Sequence, residues 1–161
     1  RHGVRADLKW PNDGLIDGRK LAGILLEAHA LSTSTIVIVG VGINVLPRES
    51  GTAISDARRL AAIDLHSAGC PLEDRNVLAA DLGVAIERRL RRFAEVGFAE
   101  SASEWNAVDA FRDRRVSLGT TLNDAVFGIA RGVDATGRLL IAIACQGQRF
   151  IAGDLSPRAL A

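Results

Sequence analysis

The sequence predicts an α+β fold in two parts, on three observations. Residues 4–44 alternate β-branched or mixed segments with tight turn signals, one long helical periodicity starts at Asp74, and short strands recur between turns from Arg112 onward. The chain has 161 residues, 48% of them apolar, enough for a medium domain with a small satellite and a real core. We place the boundary near Asp109 to Asp113, which gives parts at 1–110 and 111–161.

Val4 to Trp10 mixes apolar and charged residues and reads as a strand. Pro11-Asn12-Asp13-Gly14 reads as a turn, because Pro fixes φ, Asn and Asp bond locally and Gly accepts positive φ. Leu15-Ile16, Asp17-Gly18 and Arg19 to Ala28 form a hairpin signature around a two-residue turn. After Ser32 to Thr35, the β-branched run Ile36 to Val39 predicts a buried strand leading into Gly40-Val41-Gly42-Ile43-Asn44. Pro47 to Thr52 reads as loop, and 53–68 is ambiguous.

Asp74 is the N-cap expected for a helix to about Glu95, with Leu78, Leu82, Ala85, Ile86, Leu90 and Phe93 at helical spacing and Gly97 as its stop. A shorter helix near 99–107 carries Trp105 as a core anchor. Val116 to Leu118, Ala125 to Val133, Leu139 to Ala144 and Gln148 to Ala152 are then short strands, separated by Asn123-Asp124, Asp134 to Gly137 and Gln146-Gly147. That pattern predicts a small barrel.

Composition excludes several functions. A net charge of +1 gives no bulk attraction to nucleic acid or membrane, and 5 Phe, 2 Trp and no Tyr make a base-stacking surface unexpected. No apolar run is long enough to span a membrane, and there is no signal peptide. Cys70 and Cys145 lack metal or CxxC spacing and read as small hydrophobes in a reducing cytosol, so we expect a cytoplasmic protein. His2, His29 and His66 are too scattered to be a zinc set. The chain has no Met and begins Arg1-His2-Gly3, so we read it as a C-terminal piece of something longer.

The chemistry concentrates early. Lys9-Trp10-Pro11-Asn12-Asp13 precedes Lys20-Leu21-Ala22-Gly23-Ile24-Leu25 by a short interval, which sets two lysines, an amide and a carboxylate around one turn and one strand. Lysine follows developing negative charge, and aspartate orients a lysine or holds a metal. Taken singly, each feature has an ordinary structural reading: an Asx turn at Asn12-Asp13, an edge-strand lysine at Lys20, crowding relief at Gly40 and Gly42. Strand parity sets Lys20 with Ala22 and Ile24, opposite Gly23 and Leu25, unless the strand bends at Gly23. Arg88, Arg89, Arg91 and Arg92 read as a solvated helix face.

The order and spacing of Lys-Trp-Pro-Asn-Asp, Gly-Arg-Lys-Leu-Ala-Gly-Ile-Leu-Leu-Glu and Val-Gly-Val-Gly-Ile-Asn-Val resemble the biotin protein ligases. So do Asp74-Arg-Asn-Val-Leu-Ala-Ala and, toward the end, Phe127-Gly128, Val133-Asp134, Gly137, Leu139-Leu140 and Gly153-Asp154. The resemblance implies a class II synthetase-like core, incomplete at its N-terminus, with a mixed or antiparallel sheet and helices, followed by an SH3-like β-barrel. It implies that biotin's carboxylate attacks the α-phosphate of ATP, and that a lysine of the biotin carboxyl carrier domain of acetyl-CoA carboxylase then attacks the biotinyl-5′-AMP.

By that resemblance Lys20, Lys9 and Asp13 are catalytic. Lys20 bridges the biotin carboxyl and the α-phosphate, Lys9 binds the departing pyrophosphate, and Asn12 and Asp13 order the triphosphate, its Mg²⁺ and the lysines. Trp10 stands on the ligand-side wall, Gly23 and Leu25 touch biotin, and Gly42, Ile43 and Asn44 border the adenylate. The Mg²⁺ that accompanies ATP is expected near Asp13 and Asn44. The family's Gly-Arg-Gly-Arg-x-Gly-Arg biotin loop and its Ser-Thr-Asn-type segment are absent from the sequence, and no Trp stands near Ala61 to Asp64 to cover adenine. Ile63 or Leu65 is the expected cover. Rival readings are a lipoate-type ligase or transferase, a biotin-responsive repressor half whose helix-turn-helix for nucleic acid would lie upstream, and a non-catalytic remnant that binds the carrier domain. A homodimer through the 25–33 edge is compatible with the sequence.

Overall fold

A computed structural model describes residues 3–47, 60–70, 74–119, 125–143, 146–153 and 155–157. Most of the loop expected at 47–52, the start of the ambiguous segment, the Asn123-Asp124 turn, His2, Cys145 and Asp154 lie outside the described residues. Strands β1 (Asp7–Lys9), β2 (Asp13–Ile16), β3 (Arg19–Ala30) and β4 (Thr35–Ile43) form one antiparallel sheet in sequence order. Helices α1 (Arg75–Val96) and α2 (Ser101–Ala107) follow. Strands β5 (Arg115–Leu118), β6 (Val126–Val133), β7 (Leu139–Ile143), β8 (Gln146–Phe150) and β9 (Leu155–Pro157) then form a second antiparallel sheet, in the order β8-β7-β6-β5-β9. The α+β expectation holds.

The hairpin turns on Asp17 and Gly18, at φ 50° and 71°, the mirror-type turn whose twist suits paired strands. The turn before it is shorter than expected. Trp10, Pro11 and Asn12 make the bend, across a cis Trp10–Pro11 bond, while Asp13 and Gly14 already pair in β2. Asn12 Nδ2 donates to the Ile24 carbonyl (2.7 Å) and the Ile24 N–H to the Asn12 carbonyl (2.9 Å), which fastens the bend to β3.

Helix α1 starts where Asp74 accepts from the Asn76 N–H (2.8 Å) and stops at Gly97, φ 69°. Leu78, Leu82, Ala85 and Ile86 are half-buried, but Leu90 and Phe93 are exposed. Arg89 and Arg91 pair with Glu104 and Glu87 (both 2.7 Å), and Arg92 with Glu100, as a solvated face would. Trp105 in α2 packs against the second sheet's core. In that sheet Gln146-Gly147, expected as a turn, begins β8 and pairs with β7.

Two cores form. Ile16, Leu21, Ile63, Leu65 and Cys70 make the smaller one. The larger joins Val116, Leu118, Ala130, Val133, Leu139, Ile141 and Leu155 to Phe111, Trp10 and Leu15, so the first sheet's turn is rooted among side chains of the second. The buried strand expected at Ile36 to Val39 is overturned: Ile36, Val37 and Ile38 are exposed, as are Leu25 and Leu26 on β3. β-branching reported strand preference here, not burial.

Candidate active site

Asp13 is the centre of the site. Its Oδ2 accepts from Lys9 Nζ at 2.9 Å and its Oδ1 lies 2.5 Å from Lys20 Nζ. Lys9 and Asp13 are buried, whereas Lys20 is about half exposed and faces the cleft. Burial alone would push the Asp13 carboxyl up, but the hydrogen bonds and charges of the two lysines outweigh it and hold the group below the usual carboxylate value. Asp13 is therefore an ionised bridge that fixes two ammonium groups side by side.

Parity would have sent Lys20 to the wrong face, and a bulge corrects it. Asp13 pairs with Gly23 and Gly14 with Ala22, but Leu15 pairs with Lys20, so Leu21 is an extra residue on β3. The irregularity lies at Leu21 rather than at Gly23. It brings Lys20 onto the side of Gly23, where a Cβ on Gly23 would stand 3.6 Å from Lys20 Nζ. Leu21 turns its side chain into the smaller core and gives its carbonyl to the Asn44 N–H (2.9 Å).

Asn44 acts as a clip. Its Nδ2 donates to the carbonyls of Lys20 (3.2 Å) and Ile63 (3.1 Å), and its own carbonyl accepts from the Leu65 N–H (3.0 Å). Lys20 is further held by backbone bonds to Ala61 (2.7 Å) and Ile63 (2.9 Å). The segment 60–65 thus forms the wall beside the lysine.

A cleft of about 920 Å³ opens there, lined on its polar side by Lys9, Asp13, Lys20 and Asn44 and floored by Gly23, Gly42 and Ile43. Leu46, Leu60, Ala62 and Arg75 also line it, and no motif in the sequence marks them as site residues. A neighbouring cleft runs over Asn12, Gly23, Leu25, Gly40 and Gly42 to Gly153. Of the expected site residues, Lys9, Asn12, Asp13, Lys20, Gly23, Leu25, Gly42, Ile43 and Asn44 all line one cleft or the other.

Three expectations are corrected. Trp10 is 4% exposed within the larger core, and its Nε1 donates to the Gly137 carbonyl (3.2 Å), so it is a dowel between the sheets and lines neither cleft. Ile63 and Leu65, expected over the adenine, are 3% and 5% exposed in the smaller core, while Leu60 and Ala62 face the cleft instead. Both Asp13 oxygens are engaged by ammonium groups, so this carboxylate does not fit a resident Mg²⁺. Among the described residues no group of three or more His, Cys, Asp or Glu could hold a metal ion. No described helix is long and apolar enough to cross a membrane.

Comparison with known proteins finds relatives in sequence and in fold. The biotin/lipoate A/B protein ligase family model matches residues 1–44, and the biotin protein ligase C-terminal domain model matches 113–156. The chain is 38% identical over 136 residues to the bifunctional ligase/repressor BirA of Salmonella typhimurium, covering 83% of this chain and 41% of that protein. It is 32% identical over 148 residues to the biotin--[acetyl-CoA-carboxylase] ligase of Mycobacterium tuberculosis, covering 92% and 52%.

Among solved structures, the apo biotin protein ligase of Aquifex aeolicus superposes with a TM-score of 0.78 at 28% identity, covering 98% of this chain and 67% of that one. The same enzyme in complex with biotin and ATP gives 0.76 at 26%, covering 98% and 63%. The chain thus spans about half or less of the length of these two curated relatives.

Proposed function

The chain belongs to the biotin protein ligase family, and from that premise we propose that it supplies the lysine-bearing half of a site that activates biotin with ATP and passes it to a carrier-domain lysine. The observation that carries the reading is the Lys9–Asp13–Lys20 bridge at the mouth of a glycine-floored cleft. In the first step a carboxylate oxygen bonds to the α-phosphorus, the bond to the bridging oxygen breaks, and pyrophosphate leaves. In the second, a neutral lysine amine bonds to the acyl carbon, the bond from that carbon to the phosphate oxygen breaks, AMP leaves and the amine's proton passes to solvent.

Charge builds on the phosphoryl oxygens during the first step, and fixed cations stabilise it without reorganising. Lys20, partly exposed and anchored by its backbone to residues 61 and 63, has the reach to follow both the carboxylate and the α-phosphate. Lys9, held against Asp13, stays on the pyrophosphate side. The bare backbone at Gly23 and Gly42 lets the ligand lie close to the strands. Mg²⁺ enters this reading on the nucleotide's own phosphates.

The acceptor in this reading is the biotin carboxyl carrier domain of a carboxylase, and the reaction belongs in the cytosol. Two copies could pair along the exposed Leu25–Leu31 stretch. A DNA-binding role would need a further domain. The match of residues 113–156 to the biotin ligase C-terminal domain favours biotin over lipoate.

The test is Lys20→Ala in the full-length protein. It is expected to abolish biotin-dependent pyrophosphate release while the circular dichroism spectrum stays that of the unsubstituted protein. Pyrophosphate release at the unsubstituted rate would overturn the assignment. Competition of lipoate against biotin checks the substrate.

A further inference from the structure

The geometry points to Arg75 as a third cation of the cleft, one that clamps the polyphosphate of the nucleotide. This inference rests on the nucleotide-activating reading above. Arg75 is the first residue of the 22-residue helix α1 and lines the same cleft as Lys9, Asp13, Lys20 and Asn44. Further along the helix, Arg89, Arg91 and Arg92 are each tied to a glutamate; among the described residues Arg75 and Arg88 pair with no carboxylate, and of these two it is Arg75 that lines the cleft. Arg75 is exposed and stands at the N-terminal end of the helix, beside the cleft.

Charge balance gives that position a task. Lys9 and Lys20 share Asp13, so the three together leave a single positive charge facing a ligand that carries several negative ones. A further cation across the cleft supplies the deficit, and the positive end of the helix dipole at Arg75 has the same sign. Arginine suits the role because its planar fork donates two parallel bonds to a phosphate and keeps its charge at any working pH.

Equilibrium binding of ATP and of adenosine to the full-length protein, unsubstituted and as Arg75→Ala and Arg75→Lys, tests this. Loss of a charge-assisted contact predicts ATP binding weakened about ten- to hundredfold in Arg75→Ala. Adenosine binding is expected to be unchanged, and Arg75→Lys to recover part of the loss. Equal ATP affinity in Arg75→Ala overturns the inference and leaves the adenylating reading standing. Equal weakening of ATP and adenosine also overturns it, because the residue would then serve the nucleoside or the fold. Failure of the unsubstituted protein to bind ATP overturns the adenylating reading, and this inference with it.

Discussion

Replacing Asp13 with Asn keeps the shape of the bridge and removes its charge. On the Lys9 side both partners are about 10% exposed, so the lost bond is a buried charge-assisted one, worth about 1.5–3 kcal/mol. On the Lys20 side the lysine is 45% exposed, and solvent screening reduces its share to about 0.5–1 kcal/mol. The sum, about 2–4 kcal/mol at pH 7, is to be read from urea unfolding of the two proteins. The pH dependence is the sharper check. Folding lowers the Asp13 pKa, so its stabilisation is fully present above the unfolded carboxylate value near 3.9 and is lost as pH falls through the lower folded value. The gap between the proteins should therefore hold from pH 7 to about pH 5 and begin to close below pH 4. A gap under about 0.5 kcal/mol at pH 7, or one that ignores acid, would refute the argument from the two ammonium groups.

Other positions test other links. Asp109 is displaced the opposite way: burial raises its pKa, and its Oδ2 is buried with no hydrogen-bond partner among the described residues, while Oδ1 accepts from the Phe111 N–H (2.9 Å). Its ionised form therefore costs stability as pH rises above the unfolded value, and Asp109→Asn should raise the unfolding midpoint by a few degrees at pH 7 and by nothing near pH 3, as calorimetry would record. Trp10→Ala should cost about 3–5 kcal/mol in denaturant unfolding and Trp10→Phe about 1–2 kcal/mol, since Phe retains most of the buried ring and loses the bond to Gly137. Gly132 has φ +85°, and a Cβ there would stand 2.1 Å from Asn106 Oδ1, which accepts the Val133 N–H (2.7 Å). Gly132→Ala should thus destabilise by more than about 2 kcal/mol, and a smaller loss would mean Asn106 yields without penalty.

Much of this was legible where local chemistry decides. The Asp17-Gly18 turn, the Asp74 cap and Gly97 stop of α1, and the short strands after Arg112 each follow from one or two residues with a known backbone preference. The site residues were legible as an inventory, through resemblance, but not as a geometry. Strand parity misassigned the face of Lys20, because no composition signal announces an extra residue at Leu21. Ile36 to Val39 looked like core because β-branched residues suit strands in or out of water. Trp10 sits between two site residues yet roots in the second sheet, a contact 127 residues away that no local pattern encodes. Arg75 was passed over because an arginine at a helix start reads as solvent-facing until the cleft beside it is seen.

The bulge at Leu21 has a bearing on which changes this chain can tolerate over evolutionary time. A strand assigns every residue to one of two sides, and a slip of one reverses the assignment. Between Lys20 and Gly23 the count is therefore a phase, set once and carried down the rest of β3. Deleting a single residue there would leave every chemical group of the site in the sequence and deliver the ammonium to the opposite side of the sheet. Swapping Leu21 for another apolar residue would disturb packing alone. Heredity must keep the length of that interval more strictly than the identity of what fills it.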